Sequence, residues 1–423
     1  MAQIDEKAMT FASSMAVPSI ALSSAPQALS MPGVPYPLRM MLMLATRLNR
    51  GSLTVVLPDG RRVKCAGLQP GPSAELVLHD ASFASRLLRG GGLAAGEAYM
   101  DGDFDSPDLA ALIELAAING NILDETLDGK PWVRQVRNVL HWLNRNSRRG
   151  SRRNISHHYD LGNDFYRLWL DDTMTYSSAL FAGPGRTLEQ AQTDKYLSLA
   201  DRIGLRAEHS LLEIGTGWGG FACCVAKEIG CSITTVTISR EQFDYAARRV
   251  QQEGLLEKID VRLCDYRDVQ GRFDRIASIE MVEAVGEQYW PLYFGRLHDF
   301  LTPGGIAGLQ VITIDDRYFE TYRRSMDFVQ RYIFPGGMLP SPSALRAVTA
   351  KAGFRWLNDM TFGIDYAETL AVWRRRFCDV WPEVARLGFD ERFRRMWEFY
   401  LCYCEGGFRA GTVDVAQIAL ARD

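Results

Sequence analysis

In the run Leu211-Leu-Glu-Ile-Gly-Thr-Gly-Trp-Gly-Gly220, a carboxylate at Glu213 stands two residues ahead of glycines at 215, 217, 219 and 220. Glycine lets a backbone pass close to a ligand, because no Cβ intrudes and left-handed angles cost little. The apolar residues before it read as a strand and Phe221 to Ile229 as a helix, so the glycines lie at a strand-to-helix turn. Open α/β sheets hold their ligands at such turns. Gly215-x-Gly217-x-x-Gly220 satisfies the dinucleotide pattern, which asks for an acidic residue about 20 positions on. The second strand, Cys231 to Thr237, instead runs into Ile-Ser-Arg-Glu-Gln242, with no carboxylate at its tip. Glu213 is placed to face a sulfonium and an amino acid end. Asp265, beside Tyr266 and after a third apolar strand at Ile259–Leu263, is placed to receive an adenine amino group. S-adenosylmethionine fits this rhythm better than a dinucleotide does.

Two further groups of side chains can do chemistry. Glu280-Met-Val-Glu-Ala-Val-Gly286 follows a fourth strand and puts two carboxylates at the end of the sheet, where they can stabilise positive charge or take a proton. Upstream, His157-His-Tyr-Asp-Leu-Gly-Asn-Asp-Phe165 and Met174-Thr-Tyr-Ser-Ser-Ala-Leu-Phe181 are dense in rings and hydroxyls. The paired histidines match no metal-ligand spacing, and Asn163 reads as a helix cap. Aromatic faces attract cations by roughly 0.5–2 kcal/mol, so this stretch suits a lid over a sulfonium. The segment from Tyr318 to Pro340 is more apolar and aromatic than a small polar ligand requires, as a hydrocarbon substrate or ordinary lid packing would explain.

The elements that must position these groups read as βα alternation. Arg240 to Glu253 is a helix, Arg275–Ile279 a strand, Tyr289–Phe300 a helix and Ala307–Ile314 a strand, which predicts a parallel sheet with helices on both faces. Ala367 to Phe408 reads as helical. Ahead of this sheet, strands at 52–57, 61–66 and 75–79 with helices at 37–48, 83–88 and 109–118 predict a small α+β domain over 36–143. Residues 1–35 read as a disordered tail, 144–156 as a basic linker containing Arg145-Asn-Ser-Arg-Arg-Gly-Ser-Arg-Arg153, and 157–423 as the main domain. The 423 residues are 47% apolar and 23% charged with a formal charge of −3, against bulk nucleic-acid binding. Eight cysteines without zinc-type paired spacing suit a reducing compartment. No apolar run is long enough to span a bilayer.

The chain resembles the cyclopropane-fatty-acyl-phospholipid synthase family and its mycolic-acid methyltransferase relatives over nearly everything after residue 36. The resemblance is carried by Gly96-Glu-Ala-Tyr-Met-Asp-Gly102, His158-Tyr-Asp-Leu-Gly-Asn-Asp-Phe165, Thr175-Tyr-Ser177, Glu213-Ile-Gly-Thr-Gly-Trp-Gly219, Thr237-Ile-Ser-Arg-Glu-Gln242, Phe334-Pro-Gly-Gly337 and Phe362-Gly-Ile-Asp-Tyr366. It implies a Rossmann-like class I methyltransferase sheet, with the small domain presenting phospholipid. The implied donor site comprises Tyr159, Tyr176, Ser177, Glu213, Gly215, Gly217, Gly219, Thr237, Ser239, Gln242, Asp265 and Tyr266, with Thr237, Ser239 and Gln242 serving where a dinucleotide site would place an acid.

By that resemblance the activity is methyl transfer to the cis double bond of an unsaturated acyl chain, giving cyclopropane. An alkene is a weak nucleophile, so the reacting groups must be held together in a dry channel. The resulting carbocation needs aromatic faces and buried anions, and ring closure needs a base. The family's base is a bicarbonate held by Cys, Glu, His, Ile and Tyr. Glu283, Ile314 and Tyr366 occupy three of those positions here, Ser178 stands for the cysteine and Ile312 for the histidine. A weaker base favours the alternatives, a methyl-branched or methylene chain, and methylation of another apolar molecule also stays open. The expected setting is cytoplasmic, at the inner face of the membrane, with a phospholipid surface as partner, no nucleic acid and no metal; a homodimer is compatible with it.

Overall fold

The computed structural model describes residues 19–120 and 161–423. Its large sheet contains seven strands: β6 (Ser210–Ile214), β7 (Ser232–Thr237), β8 (Ile259–Leu263), β9 (Phe273–Ile279), β10 (Leu301–Ile314), β11 (Phe354–Thr361) and β12 (Val413–Arg422). Their order is β11-β12-β10-β9-β6-β7-β8. All neighbours are parallel except β12, which runs antiparallel between β10 and β11. The helical connections follow from amphipathic runs such as Arg240–Gln252, capped at Ser239, whose Oγ accepts the Gln242 amide at 3.3 Å. Helices cover both faces, as the alternation predicts. β11 and β12 go beyond it: the first precedes the helical stretch expected at 367–408 and the second follows it.

β6 and β9 are neighbours whose onward connections leave in opposite directions. The crevice beyond their carboxyl ends is therefore the topological switch point, where such sheets bind ligands. The glycine turn follows β6 and Glu280 follows β9, so both chemical segments open into one crevice.

The small domain is built on a second sheet of order β1-β3-β2-β4-β5, with β1 (Ile20–Leu22), β2 (Arg50–Val56), β3 (Arg62–Ala66), β4 (Gln69–Leu78) and β5 (Phe104–Asp105). The expected tail is corrected from residue 19 onward. Ile20, Ala21 and Leu22 pair in parallel with Val63, Lys64 and Cys65, and Ala25–Leu29 is helical. The short apolar pieces here are satisfied by an existing sheet edge, a tertiary cause that local periodicity cannot reveal. The domain ends expected at 143 and 156, and the basic cluster at 145–153, lie outside the described residues.

The small domain shares an apolar core with the helices that flank the large sheet, while the large sheet's own strands pack into two further clusters. Phe165, Trp169, Trp373, Phe377 and Trp397 meet in the shared core, mostly edge to face, with Phe165 and Trp397 5.0 Å apart at their centroids. Helix Glu391–Arg409 packs against Leu109–Ile118 and Ser82–Met100 of the small domain. Arg395 fastens this joint: its guanidinium lies 4.0 Å over the Tyr99 ring and donates to Phe104 O and Asp105 Oδ1, each at 2.8 Å.

Candidate active site

A cavity of about 520 Å³ occupies the switch-point crevice. Glu213 reaches it from the penultimate position of β6, buried against Thr235, the residue opposite it on β7. The Thr235 hydroxyl donates to Glu213 Oε2 at 2.5 Å and lies 2.7 Å from the Thr216 hydroxyl. Burial pushes the Glu213 carboxyl up to about 8, so it is poised to meet a cation. Gly215 and Gly217 carry φ of +100° and +52° and line the cavity. A Cβ on Gly215 would stand 2.7 Å from Met281 Cγ, so only glycine keeps this approach open.

On the β7 side, the Thr237 hydroxyl donates to Gln242 Oε1 at 2.8 Å, and both residues line the cavity. Asp265 and Tyr266 line it beyond β8, with Asp265 held by Arg267 Nε at 2.8 Å and Nη2 at 2.6 Å. Tyr176 and Ser177 enter from above. The Tyr176 hydroxyl lies 2.8 Å from that of Tyr400, and Ser177 Oγ accepts from Lys195 Nζ at 2.6 Å. The structure thus gathers Tyr176, Ser177, Glu213, Gly215, Gly217, Thr237, Gln242, Asp265 and Tyr266 around one space.

Two of the expected donor contacts fall elsewhere. Gly219, at φ +83°, is the left-handed cap of helix Gly220–Glu228, against Ala246, and Ser239 spends its hydroxyl capping the next helix. Both shape the turns without lining the cavity. Tyr159 lies outside the described residues.

The expected catalytic positions converge more tightly than their spacing suggested. Glu283 Oε1 accepts from Ile312 N at 2.5 Å, while its Oε2 is buried with no hydrogen-bond partner. Burial first, and the Glu280 charge second, push this carboxyl up to about 8. Tyr366 donates to Glu280 Oε2 at 2.8 Å and stacks on Phe408 at 4.5 Å. Ile314 lines the wall with its side chain. Ser178 is corrected as a side-chain participant. It is fully buried, its hydroxyl donates to Ala179 O at 2.9 Å, and its backbone N–H donates to Glu280 Oε1 at 2.8 Å.

Three residues were missed as parts of this assembly. Glu280 was noticed as a carboxylate but not placed as the hub. Lys195 and Gln310 are each fully buried, one inside an ordinary-looking helix and one inside a strand. Gln310 Nε2 donates to Glu280 Oε1 at 2.8 Å, and its Oε1 accepts from Gln417 at 3.1 Å. Burial pushes Lys195 down to about 7, opposed by the charge of Glu280. The sequence signal for Glu280 and Gln310 was a polar residue within an apolar run, whereas Lys195, in the polar helix Leu188–Arg202, carried none.

These contacts also decide how the residues fit the two small molecules that the resemblance implies. S-adenosylmethionine fits: a bare glycine approach, a buried carboxylate short of a cation and an acid–tyrosine pair beyond β8 all face one cavity. Bicarbonate does not fit. The Ser178 N–H and Tyr366 hydroxyl are engaged by Glu280, and the Ile312 side chain offers no donor.

The strand order and the glycine–carboxylate crevice define a Rossmann-like, S-adenosylmethionine-dependent methyltransferase. Residues 146–418 match the family described as mycolic acid cyclopropane synthetase, and the chain belongs to that family. It is 38% identical over 395 residues to the tuberculostearic acid methyltransferase UfaA1 of Mycobacterium tuberculosis, covering 90% of this chain and 91% of the relative. It is 35% identical over 351 residues to the cyclopropane-fatty-acyl-phospholipid synthase of Escherichia coli K12, covering 82% and 88%. Among solved structures, the mycolic acid cyclopropane synthase CmaA1, complexed with SAH and CTAB, superimposes with a TM-score of 0.60 at 28% identity, covering 64% of this chain and 98% of that one. The enzyme is thus of the cyclopropane-synthase type, among lipid-modifying methyltransferases. Among the described residues no helix is long and apolar enough to cross a membrane.

Proposed function

We propose that this enzyme alkylates the cis double bond of an unsaturated phospholipid acyl chain and closes it to a cyclopropane. The observation that carries the reading is a single cavity with a methyl-donor cradle at one side and aromatic and aliphatic walls at the other. Those walls include Ile113 and Ala117 of the small domain, which supports a passage for hydrocarbon between the two domains. Bound S-adenosylmethionine supplies an electrophilic methyl group. Glu213, with Gly215 and Gly217, would hold its cationic amino acid end. Asp265 and Tyr266 would hold its adenosine end, and Thr237 with Gln242 the middle.

The chain's own groups then manage charge. Tyr366 and Tyr176 offer ring faces, and Glu283 offers a carboxylate oxygen with no competing partner. The packed aromatic core behind them excludes water, which strengthens each of these interactions. The small domain is read as presenting membrane phospholipid at the inner face, with the basic run at 145–153 as an electrostatic aid.

A second ending, a methyl-branched or methylene chain, is favoured by the similarity to a tuberculostearic acid methyltransferase across 90% of the chain. Expression in a host lacking cyclopropane lipids, followed by NMR of the extracted phospholipids, separates the two endings. Ring protons support the first reading and vinylidene or methyl-branch signals the second. Unmodified acyl chains would remove both.

A further inference from the structure

We propose that the Glu280 carboxylate is the proton acceptor of this reaction, a built-in replacement for the bicarbonate expected from the family. The inference rests on the acyl-alkylation reading above.

Three donors converge on Glu280. Ser178 N–H and Gln310 Nε2 reach Oε1, each at 2.8 Å, and the Tyr366 hydroxyl reaches Oε2 at 2.8 Å. Ser178 and Tyr366 are two of the positions that the resemblance assigns to bicarbonate. A carboxylate and a bicarbonate share one planar O–C–O anion, so the same donors serve either. Here the side chain already fills them. Adding a separate anion would place a second negative group beside Glu280, which like-charge repulsion opposes. The two non-matching positions agree: Ser178 turns its hydroxyl to Ala179 O, and Ile312 has no polar side-chain atom to give.

The backbone gives an independent sign. Glu280 sits at φ +52°, a left-handed conformation that ordinarily favours glycine. Strain of this kind persists where the surroundings over-determine it, and it clusters at active sites. It turns the side chain from the end of β9 into the switch-point cavity, which Glu280 lines. Burial pushes the Glu280 carboxyl up, which makes its ionised form a stronger base, and the Lys195 charge with the three donors opposes that rise and favours the ionised form.

The step balances within the chain and its substrate. After methyl transfer one acyl carbon is cationic. A C–H bond of the new methyl group breaks, and its electron pair forms the bond that closes the ring. The proton goes to a Glu280 oxygen, so cation and carboxylate become neutral product and carboxylic acid. The acid returns its proton to solvent before the next turnover. For the methylene ending, the same proton loss from the methyl group after a hydride shift forms a C=C bond instead.

The test uses the full-length enzyme with vesicles of unsaturated phosphatidylglycerol and phosphatidylethanolamine. Wild-type turnover is expected to stay within about twofold when carbon dioxide and bicarbonate are stripped from the buffer. Glu280→Gln is expected to lose about 100-fold or more in turnover with little change in S-adenosylmethionine affinity, the scale of a lost general base. Glu280→Gly relieves the left-handed strain and empties the anion site. ¹³C-bicarbonate line broadening should therefore appear with Glu280→Gly and not with wild type. A wild type that needs bicarbonate, or that binds it, overturns the proposal, as does a Glu280→Gln enzyme of near-normal turnover. If wild type alkylates no acyl chain, the functional reading fails on its own. The bicarbonate-binding arm then still decides whether Glu280 occupies the anion site.

Discussion

Replacing Glu213 with glutamine should change how many protons leave when S-adenosylmethionine binds. Burial holds this carboxyl at about 8, so at pH 7 about nine in ten empty sites carry a proton on it. A cation docked within about 4–6 Å lowers a carboxyl pKa by roughly 1–3 units. A fall of two or more makes Glu213 mostly ionised at pH 7, releasing on the order of 0.8 proton per site. Titration calorimetry in buffers of low and high ionisation enthalpy counts those protons directly. Glu283, also near 8, contributes its own release if the cation reaches it, so the diagnostic quantity is the difference between wild type and variant. Glu213→Gln should lower the count by close to one at pH 7 and by about a tenth at pH 9, where the wild-type carboxyl is already ionised. Equal counts in the two proteins at pH 7 would refute the assignment of Glu213 to the donor's cationic end.

Glu283→Gln should lower turnover about 100-fold while sparing donor affinity, as loss of one preorganised charge does; steady-state kinetics beside calorimetry checks this. The same variant should flatten the pH dependence of stability. A buried carboxyl raised from 4.5 to about 8 leaves its stabilising share intact below pH 4.5 and loses it as pH rises to 8, on the order of 4 kcal/mol across that interval, so urea unfolding at pH 5.5 and 8.5 should differ less in the variant than in wild type. Gly215→Ala, with φ +100° and Met281 2.7 Å from the new Cβ, should destabilise by roughly 2–4 kcal/mol and weaken donor binding, read by denaturation and calorimetry. Arg395→Ala removes two 2.8 Å hydrogen bonds between the domains and should cost about 2–3 kcal/mol, read as faster proteolytic release of the small domain.

The parts of the site legible in the sequence were those whose chemistry is local. A strand that ends in Glu213 and runs into glycines states its own geometry, and Ile259–Leu263 matched the observed β8 residue for residue. Thr237 and Gln242 lie five residues apart and meet through one turn. Ser239 and Gly219 share the same short motifs, yet their roles are to cap helices. Motif membership alone cannot separate a residue that touches ligand from one that shapes the turn. The Glu280 assembly was illegible because its donors come from residues 178, 310 and 366, on three separate elements. β12 was hidden for a similar reason. It is buried between two strands along nearly its whole length and so lacks the alternation that marks a half-exposed strand.

Transfer of a one-carbon unit to an unsaturated acyl chain can be followed atom by atom, by incubating the purified protein with oleoyl-phospholipid vesicles and S-adenosylmethionine carrying a ¹³C methyl group, then recording carbon NMR of the extracted lipid. Label is expected on the former double-bond carbons' new substituent, as a ring, vinylidene or branch carbon, and is expected to be lost in Glu213→Gln and Glu283→Gln. Label absent from acyl chains, with S-adenosylmethionine still bound, would contradict that transfer.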